Sequence, residues 1–290
     1  MAKAKVKVKG LDSSIGIGAR RAIAYTVLIL ISILCLFWFY VLFVNATRSN
    51  SDLTRGFRPF PSTNAVANWK NMLNSSLPVV RGMLNSLIVA GCSAVVSTYF
   101  STMTAYAIHA YDFKLRKFMF TFILMVMTIP TQVTALGFID LMDKMKLEDS
   151  YIPLIIPTIA APATFFYMKQ YMESVLPMEI VDAARVDGSG EFYTFNRIIL
   201  PMMKPALAVQ LIFTFVQSWN NYFLPALLLD KAEMKTVPIM IAQLRSADYS
   251  KFDMGKVYMF ILLAILPVML VYIILSKSII KGVTAGSVKG

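Results

Sequence analysis

Two sets of residues in this chain could do chemistry, and they differ in kind. The first is a scatter of neutral polar side chains inside apolar stretches: Asn85, Thr128, Gln132, Gln210, and the run Gln217-Ser218-Trp219-Asn220-Asn221. Amides, hydroxyls and an aromatic face suit a hydroxylated solute, which needs convergent hydrogen bonds over an apolar surface. Amides at membrane depth also join helices to one another. The second set is Asp182-Ala183-Ala184-Arg185-Val186-Asp187-Gly188, then nine residues, then Ile198-Ile199-Leu200-Pro201. It is short, polar and broken by glycine, and it lies between long apolar segments. Its chemistry is docking. Neither set holds a nucleophile–base pair, and the single histidine, His109, makes no metal centre.

The elements that must position these residues are membrane helices. Of 290 residues, 57% are hydrophobic and 15% charged, and the mean hydropathy is +0.64. Six apolar runs approach the roughly 20 residues that cross a bilayer. They read as spans at 22–44, 83–107, 117–138, 151–171, 203–224 and 257–276. The first is too long for a signal-peptide core and reads as an uncleaved helix. The second is lined with Gly91, Ser93, Ser97, Ser101 and Thr104, which let helices approach closely. The fourth carries Pro153, Pro157 and Pro162, so it should bend and be packed inside, where neighbours repair its hydrogen bonds. Cys35 and Cys92 lie in apolar segments and read as small buried hydrophobes.

The fold class is therefore all-α and polytopic. A net charge of +12 would suggest nucleic acid, but the cations gather at the ends of apolar runs, as membrane orientation requires. Lys3, Lys5, Lys7, Lys9, Arg20 and Arg21 precede the first span; Lys114, Arg116 and Lys117 follow the second; Lys277, Lys281 and Lys289 end the chain. These flanks predict six spans with both ends in the cytoplasm. The chain divides into a basic segment 1–21, a membrane domain 22–280 that includes a cytoplasmic connector 172–202, and a cytoplasmic tail 281–290. Segment 45–82 then lies outside, despite Arg48, Arg55, Arg58, Lys70 and Arg81. Its Pro59-Phe60-Pro61 turn and Trp69 predict a folded loop.

Within the connector, Pro177 suits the first turn of a helix. Glu179 and Asp182 lie toward its amino end, where N–H groups favour an anion. Val181, Ala184 and Arg185 share a side, and Gly188 can end the helix with a left-handed dihedral. Phe192, Phe195 and Ile199 recur at helical spacing in a second run that Pro201 ends. Asp187 sits at a carboxyl end, where the dipole disfavours it, so it should meet a donor, either Arg185 or a group on a partner.

Those residues resemble the signature of the permease subunits of binding-protein-dependent ABC importers: Glu-Ala-Ala, three residues, Gly, nine residues, Ile, one residue, Leu-Pro. Ala183, Ala184, Gly188, Ile198, Leu200 and Pro201 match, and Asp182 stands where Glu is usual. The ending Lys281-Gly-Val-Thr-Ala-Gly-Ser-Val-Lys-Gly290 is similar to the MalG-type carbohydrate branch. The resemblance implies an importer type I permease fold in the cell membrane. It implies pairing with a second, homologous permease, and short cytoplasmic helices seated on two nucleotide-binding subunits. It also implies delivery of a sugar by an extracellular or periplasmic solute-binding protein. ATP and Mg belong to the partner subunits, since this sequence has no phosphate loop; no cofactor is expected here, and the chain is not expected to be an enzyme. The tail is implied to reach the ATPase pair. Other readings are a permease for a non-sugar solute, for which fixed countercharges along the path would be expected, and an ion-coupled secondary transporter, which needs ionisable groups near the bilayer midplane.

Overall fold

A computed structural model describes residues 17–246 and 252–287, with side chains through residue 276. The lysine comb and the last three residues of the tail lie outside the described residues. Every regular element among the described residues is a helix. Its elements are α1 Ile17–Ala46, α2 Asn50–Thr54, α3 Ala65–Leu73, α4 Val79–Ala110, α5 Arg116–Val126, α6 Thr131–Lys144, α7 Ile152–Ile155 and α8 Pro162–Val175. They continue with α9 Met178–Val186, α10 Glu191–Thr194, α11 Leu200–Met202, α12 Lys204–Trp219, α13 Phe223–Leu228, α14 Val237–Arg245 and α15 Met254–Ser287.

Helix α4 is the axis of the bundle, packed against α12, α8, α7 and α14. Its small residues make this possible: Ala90, Ser93, Ala94, Ser97, Thr98, Ser101, Thr102 and Ala105 are all buried. Three cores form along it, the smallest around Val89, Leu154 and Leu228. One surrounds Met72, Phe215, Trp219, Met240 and Phe260. Another, at the carboxyl end of α4, surrounds Phe165, Met168, Met172, Phe195 and Met203. Helix α1 packs mainly on α15 and leaves one long apolar side outward, including Leu30, Leu34 and Trp38.

Four helices are individually long and apolar enough to cross a membrane: Gly18–Ala46, Val79–Ala110, Ile152–Val175 and Met254–Ser276. The expected third span, 117–138, is two helices bent by 96° at residues 127–130. Pro130 is the reason: it disfavours helix at the residue before it and caps α6 with extended backbone. The fifth expected span, 203–224, ends as a helix at Trp219, and Glu191–Met202 meets it at 83°. The prolines of the fourth span break it into α7, a tighter turn at Ile156–Ile159, and α8. The repair comes from α4. Ser93 Oγ donates to the Leu154 carbonyl at 3.3 Å, and Ser101 Oγ to the Ala161 carbonyl at 3.4 Å.

Cys35 and Cys92 are exposed, not buried as the composition of their segments suggests. Each sits on a helix side left open among the described residues; lipid or a neighbouring subunit would be apolar enough to make that a comfortable position.

Candidate functional site

The signature connector folds as a hairpin of short helices at the carboxyl end of α4. Helix α9 is ended by a glycine motif: Ser189 N–H donates to the Ala184 carbonyl at 2.9 Å and Gly188 N–H to the Arg185 carbonyl at 3.0 Å. This pattern needs a left-handed residue, and Gly188 supplies it with φ +74°. Val181 and Ala184 are buried, as their spacing indicates. Pro177 is the residue before the first helical turn rather than within it. Asp182 therefore lies past the turn where free N–H groups would stabilise it. It meets Arg185 Nη1 at 3.4 Å instead.

Arg185 is the hub of a clasp. Its Nε donates to Glu191 Oε1 at 2.9 Å, and its guanidinium carbon lies 5.3 Å from the centre of the Tyr111 ring. Tyr106 donates to Glu191 Oε2 at 3.1 Å. The Tyr111 hydroxyl, Arg185 and Tyr106 together hold the Glu191 carboxyl below the usual carboxylate range, against a smaller opposing effect of burial. Glu191 thus ties both halves of the connector to α4. Beneath it, buried Phe195 sits between the rings of Tyr99 and Tyr106, at 5.6 and 5.8 Å.

Arg185 is consequently committed to Glu191 and Asp182, and it is not the donor expected for Asp187. Among the described residues, Asp187 makes no ion pair. It stands at the tip beside Val186, which is 88% exposed. Phe192 was expected on the packed side with Phe195 and Ile199, yet it is 70% exposed, next to Tyr193 at 61%. The second run does not stop at Pro201 either. Pro201 has no N–H for the Arg197 carbonyl, so the helix widens: Leu200 N–H reaches back to the Phe195 carbonyl, and α11 follows. Ile199 is buried, and Ile198 and Leu200 are partly buried against the same core. The result is an apolar tip, Val186, Phe192 and Tyr193, carrying an unpaired acid and mounted on a rigid base.

The polar residues in the spans separate into two groups. Asn85 is buried, and its amide donates to the carbonyls of Glu233 and Lys235 at 2.8 and 3.0 Å. Trp219 is enclosed and stacked on Phe215, and Gln210 is buried. These three belong to the packing of the bundle. Phe138 likewise packs into a cluster with Leu154 and Leu228. Thr128, Gln132, Gln217 and Asn220 are exposed, and Asn221 is partly so; Asn220 and Asn221 follow the end of α12. Thr128 and Gln132 flank the bend at Pro130. The structure does not bring these residues into one enclosed pocket within this chain.

Sequence reading missed Glu191, Tyr106 and Tyr111. One signal was available: Glu191 directly follows the Gly188-Ser-Gly190 break, as the first residue of a helix, where an anion is favoured.

Residues 97–284 match the family described as the binding-protein-dependent transport system inner membrane component. The arabinooligosaccharides transport system permease protein AraQ of Bacillus subtilis (strain 168) is 34% identical over 267 residues, covering 90% of this chain and 93% of that protein. The sn-glycerol-3-phosphate transport system permease protein UgpE of Yersinia pestis bv. Antiqua (strain Antiqua) is 30% identical, covering 89% and 94%. The lactose transport system permease protein LacG of Rhizobium radiobacter is 29% identical, covering 92% and 96%. A chain of the crystal structure of a bacterial ABC transporter involved in the import of the acidic polysaccharide alginate superposes with a TM-score of 0.77 at 20% identity, over 89% of this chain and 95% of that one.

Proposed function

Because this chain belongs to the family of inner membrane components of binding-protein-dependent transport systems, we propose that it is one of two paired permeases in an ATP-driven importer of a neutral oligosaccharide. It is a multi-pass membrane protein and a transport component rather than an enzyme. In the proposed arrangement it crosses the membrane six times, each bent pair counting once, with both termini in the cytoplasm. The connector 172–202 then faces two nucleotide-binding subunits, which bind ATP and Mg. A solute-binding protein delivers the sugar to the opposite side.

The observation that carries this reading is the connector itself. An exposed apolar tip with an unpaired acid is a surface built to be covered, and its fixed mounting on α4 suits it to transmit force. Closure of the nucleotide-binding subunits would push Val186, Asp187, Phe192 and Tyr193. The clasp and Phe195 would pass that displacement to α4, and α4 to the Pro-broken α7–α8. The polar residues left exposed, Thr128, Gln132 and Gln217, face what would be the second permease or the shared path.

The sugar is inferred from relatives that transport arabinooligosaccharides and lactose and from candidate path residues that are all neutral. A second reading is a phosphorylated polyol, because the glycerol-3-phosphate permease is also 30% identical; a phosphate would call for a cation on the path. The deciding experiment reconstitutes the chain with its second permease, ATPase subunits and binding protein in nanodiscs. ATP hydrolysis should rise with arabinooligosaccharides or another short neutral glycan and not with glycerol 3-phosphate. The opposite preference would select the second reading, and no stimulation by either would remove the oligosaccharide assignment. Cysteines at Ser13, Lys114 and Gly282 should be shielded from an impermeant thiol reagent in intact cells while one at Ser62 reacts, in a chain lacking Cys35 and Cys92. Labelling at Gly282 would overturn the topology.

A further inference from the structure

We propose that the loop at residues 55–61 is a docking site for anionic phospholipid headgroups in the outer half of the bilayer. The loop reads Arg55-Gly-Phe57-Arg58-Pro-Phe60-Pro61, and every residue of it is exposed. Phe57 and Phe60 are 55% and 77% exposed, which in water would be an unusual place for two phenylalanines flanked by arginines.

The position of the loop along α1 explains both residue types. Tyr40 donates its hydroxyl to the Pro59 carbonyl, and the Phe57 ring meets Phe37 edge to face at 6.3 Å. The loop therefore folds back beside the last turns of the helix instead of standing above it. From Arg21 to Tyr40 the helix rises about 28 Å at 1.5 Å per residue, close to the roughly 30 Å of hydrocarbon in a bilayer. With Arg20 and Arg21 at one surface, Tyr40 lies at the other hydrocarbon boundary. The sequence agrees: Phe37-Trp38-Phe39-Tyr40 is the aromatic composition of a membrane interface. Phe57 and Phe60 then rest in the acyl boundary, and Arg55 and Arg58 reach the phosphate layer. Among the described residues, neither guanidinium is in an ion pair. A planar guanidinium is suited to grip a phosphate through two hydrogen bonds. The same geometry accounts for cations on the outer side, where orientation rules do not place them: they serve headgroups.

The inference takes from the proposed function that α1 crosses the bilayer and that its amino end lies on the cytoplasmic side. Its test uses the full chain in nanodiscs, in a variant with Cys35 and Cys92 replaced. A bimane label is placed at Phe60→Cys or, separately, at Leu30→Cys in the middle of α1. Nitroxide phospholipids carrying the quencher near the headgroup should quench the label at position 60 and iodide should not. Deep-chain nitroxides should quench the label at position 30. Nitroxide phosphatidylglycerol should quench position 60 more strongly than nitroxide phosphatidylcholine at equal content. Arg55→Gln and Arg58→Gln should each lower that preference by about fivefold, as expected for one cation at an anionic surface. Iodide access at position 60 with normal quenching at position 30 overturns the inference and leaves the span standing. Loss of lipid quenching at both positions overturns the span and the inference together. A label at position 60 shielded from both quenchers would show that a protein subunit covers the loop and would also overturn it. An unchanged headgroup preference in the arginine variants refutes the anionic recognition.

Discussion

Helix α4 holds a loop at each end, and it holds them by different chemistry. At its carboxyl end, the proposed inner side, the connector is fastened by charge and phenol: Arg185, Glu191, Tyr106 and Tyr111, above the plug of Phe195. At its amino end, the proposed outer side, α4 itself fastens the segment 228–237 through neutral side chains on backbone groups. Asn85 serves two carbonyls there, and Ser86 Oγ accepts from Val237 N–H at 2.8 Å. Across from them, Asp149 Oδ1 accepts from the backbone N–H groups of Asp230 and Lys231 at 2.8 and 2.9 Å. The outer fastening is buried at Asn85 and Ser86 and partly exposed at Asp149, whose carboxylate also lies 4.0 Å from Lys231 Nζ. The inner one is half exposed and ends in an uncovered tip. A permanent mount and a working one are thus built on one rod. If this is right, outer lesions should lower stability while inner lesions should lower coupling with the fold intact.

The largest effect should come at the inner break. A Cβ on Gly188 would meet nothing within 4 Å, yet its φ is +74°. Within the chain, Gly188→Leu therefore brings backbone strain of about 1–2 kcal/mol and no clash at Cβ. The larger leucine side chain would crowd a docked partner. The variant should reach the membrane while sugar-stimulated hydrolysis and uptake collapse, and Gly188→Ala should retain much of both. Equal loss in the alanine variant would assign the whole effect to the dihedral and none to docking. On the outer side, Gly255 gives the opposite case. A Cβ there would lie 2.7 Å from the Arg48 carbonyl, which is backbone and cannot swing aside. Gly255→Ala should lower thermal stability by about 1–3 kcal/mol whether or not partners are present.

Asn85→Ala sharpens the contrast at the outer mount. It removes the donor from two carbonyls in a largely buried site, a loss of about 1–3 kcal/mol. Differential scanning should show a lower unfolding temperature, and titration of ATPase subunits should show unchanged affinity. Reduced affinity with unchanged stability would mean the two ends are not separable.

Much of this architecture was readable in the residues, and the unread part has a physical pattern. Span positions, the stripe of small residues on α4, the glycine stop and the buried Val181–Ala184 side all follow from local rules of spacing and backbone geometry. The bend at Pro130 and the widened turn before Pro201 are also local proline effects, hidden within continuous apolar runs; the exposure of Phe192 is not local. Periodicity assigned Phe192 to the packed side because it is apolar and correctly spaced. It is exposed because Glu191, just before it, is fixed to Arg185 and Tyr106 and so sets the rotation of α10. Tyr106 is 85 residues from Glu191, and no local pattern links them. Asn85 and Trp219 were candidates for the path or for packing; in this chain Asn85 is bonded to the carbonyls of 233 and 235 and Trp219 is stacked on Phe215, partners that no local pattern announces.

A smaller inner effect separates the two acids. Asp182 already pairs with Arg185, and both side chains are partly in water, so Asp182→Asn should change ATPase-subunit affinity by less than threefold, in line with about 0.5 kcal/mol for an exposed pair. Asp187 has no partner within the described chain, so its donor would be on the ATPase subunit. Asp187→Asn should weaken binding by about tenfold, the loss of roughly 1.4 kcal/mol of a charge-assisted contact. Titrations onto the permease pair in nanodiscs measure both, and an equal loss would mean the tip acid is not the contact.

The smallest expected effect bears most directly on the comparison. The Arg185–Glu191 pair is partly exposed, so its own contribution should be about 1 kcal/mol or less and should be screened by salt. Raising salt from about 0.05 to about 0.5 M should lower the ratio of sugar-stimulated to basal hydrolysis in the wild type about twofold. Glu191→Gln should show a low ratio at both concentrations. The Arg185→Glu, Glu191→Arg exchange should recover part of the ratio, though not all, because Tyr106 loses its carboxylate acceptor. pH supplies an independent sign. Glu191 is held below its ordinary carboxylate range, so its contribution is complete above the unfolded value of about 4.3 and is lost as pH falls through the lower folded one. Between pH 7 and 5 the clasp should therefore be flat, and any loss of coupling in that window belongs to another group. If salt, the glutamine and the exchange all leave the ratio unmoved, the inner mount is held by Phe195 between its two tyrosines rather than by charge. The two ends of α4 would then differ in exposure and not in the kind of bond.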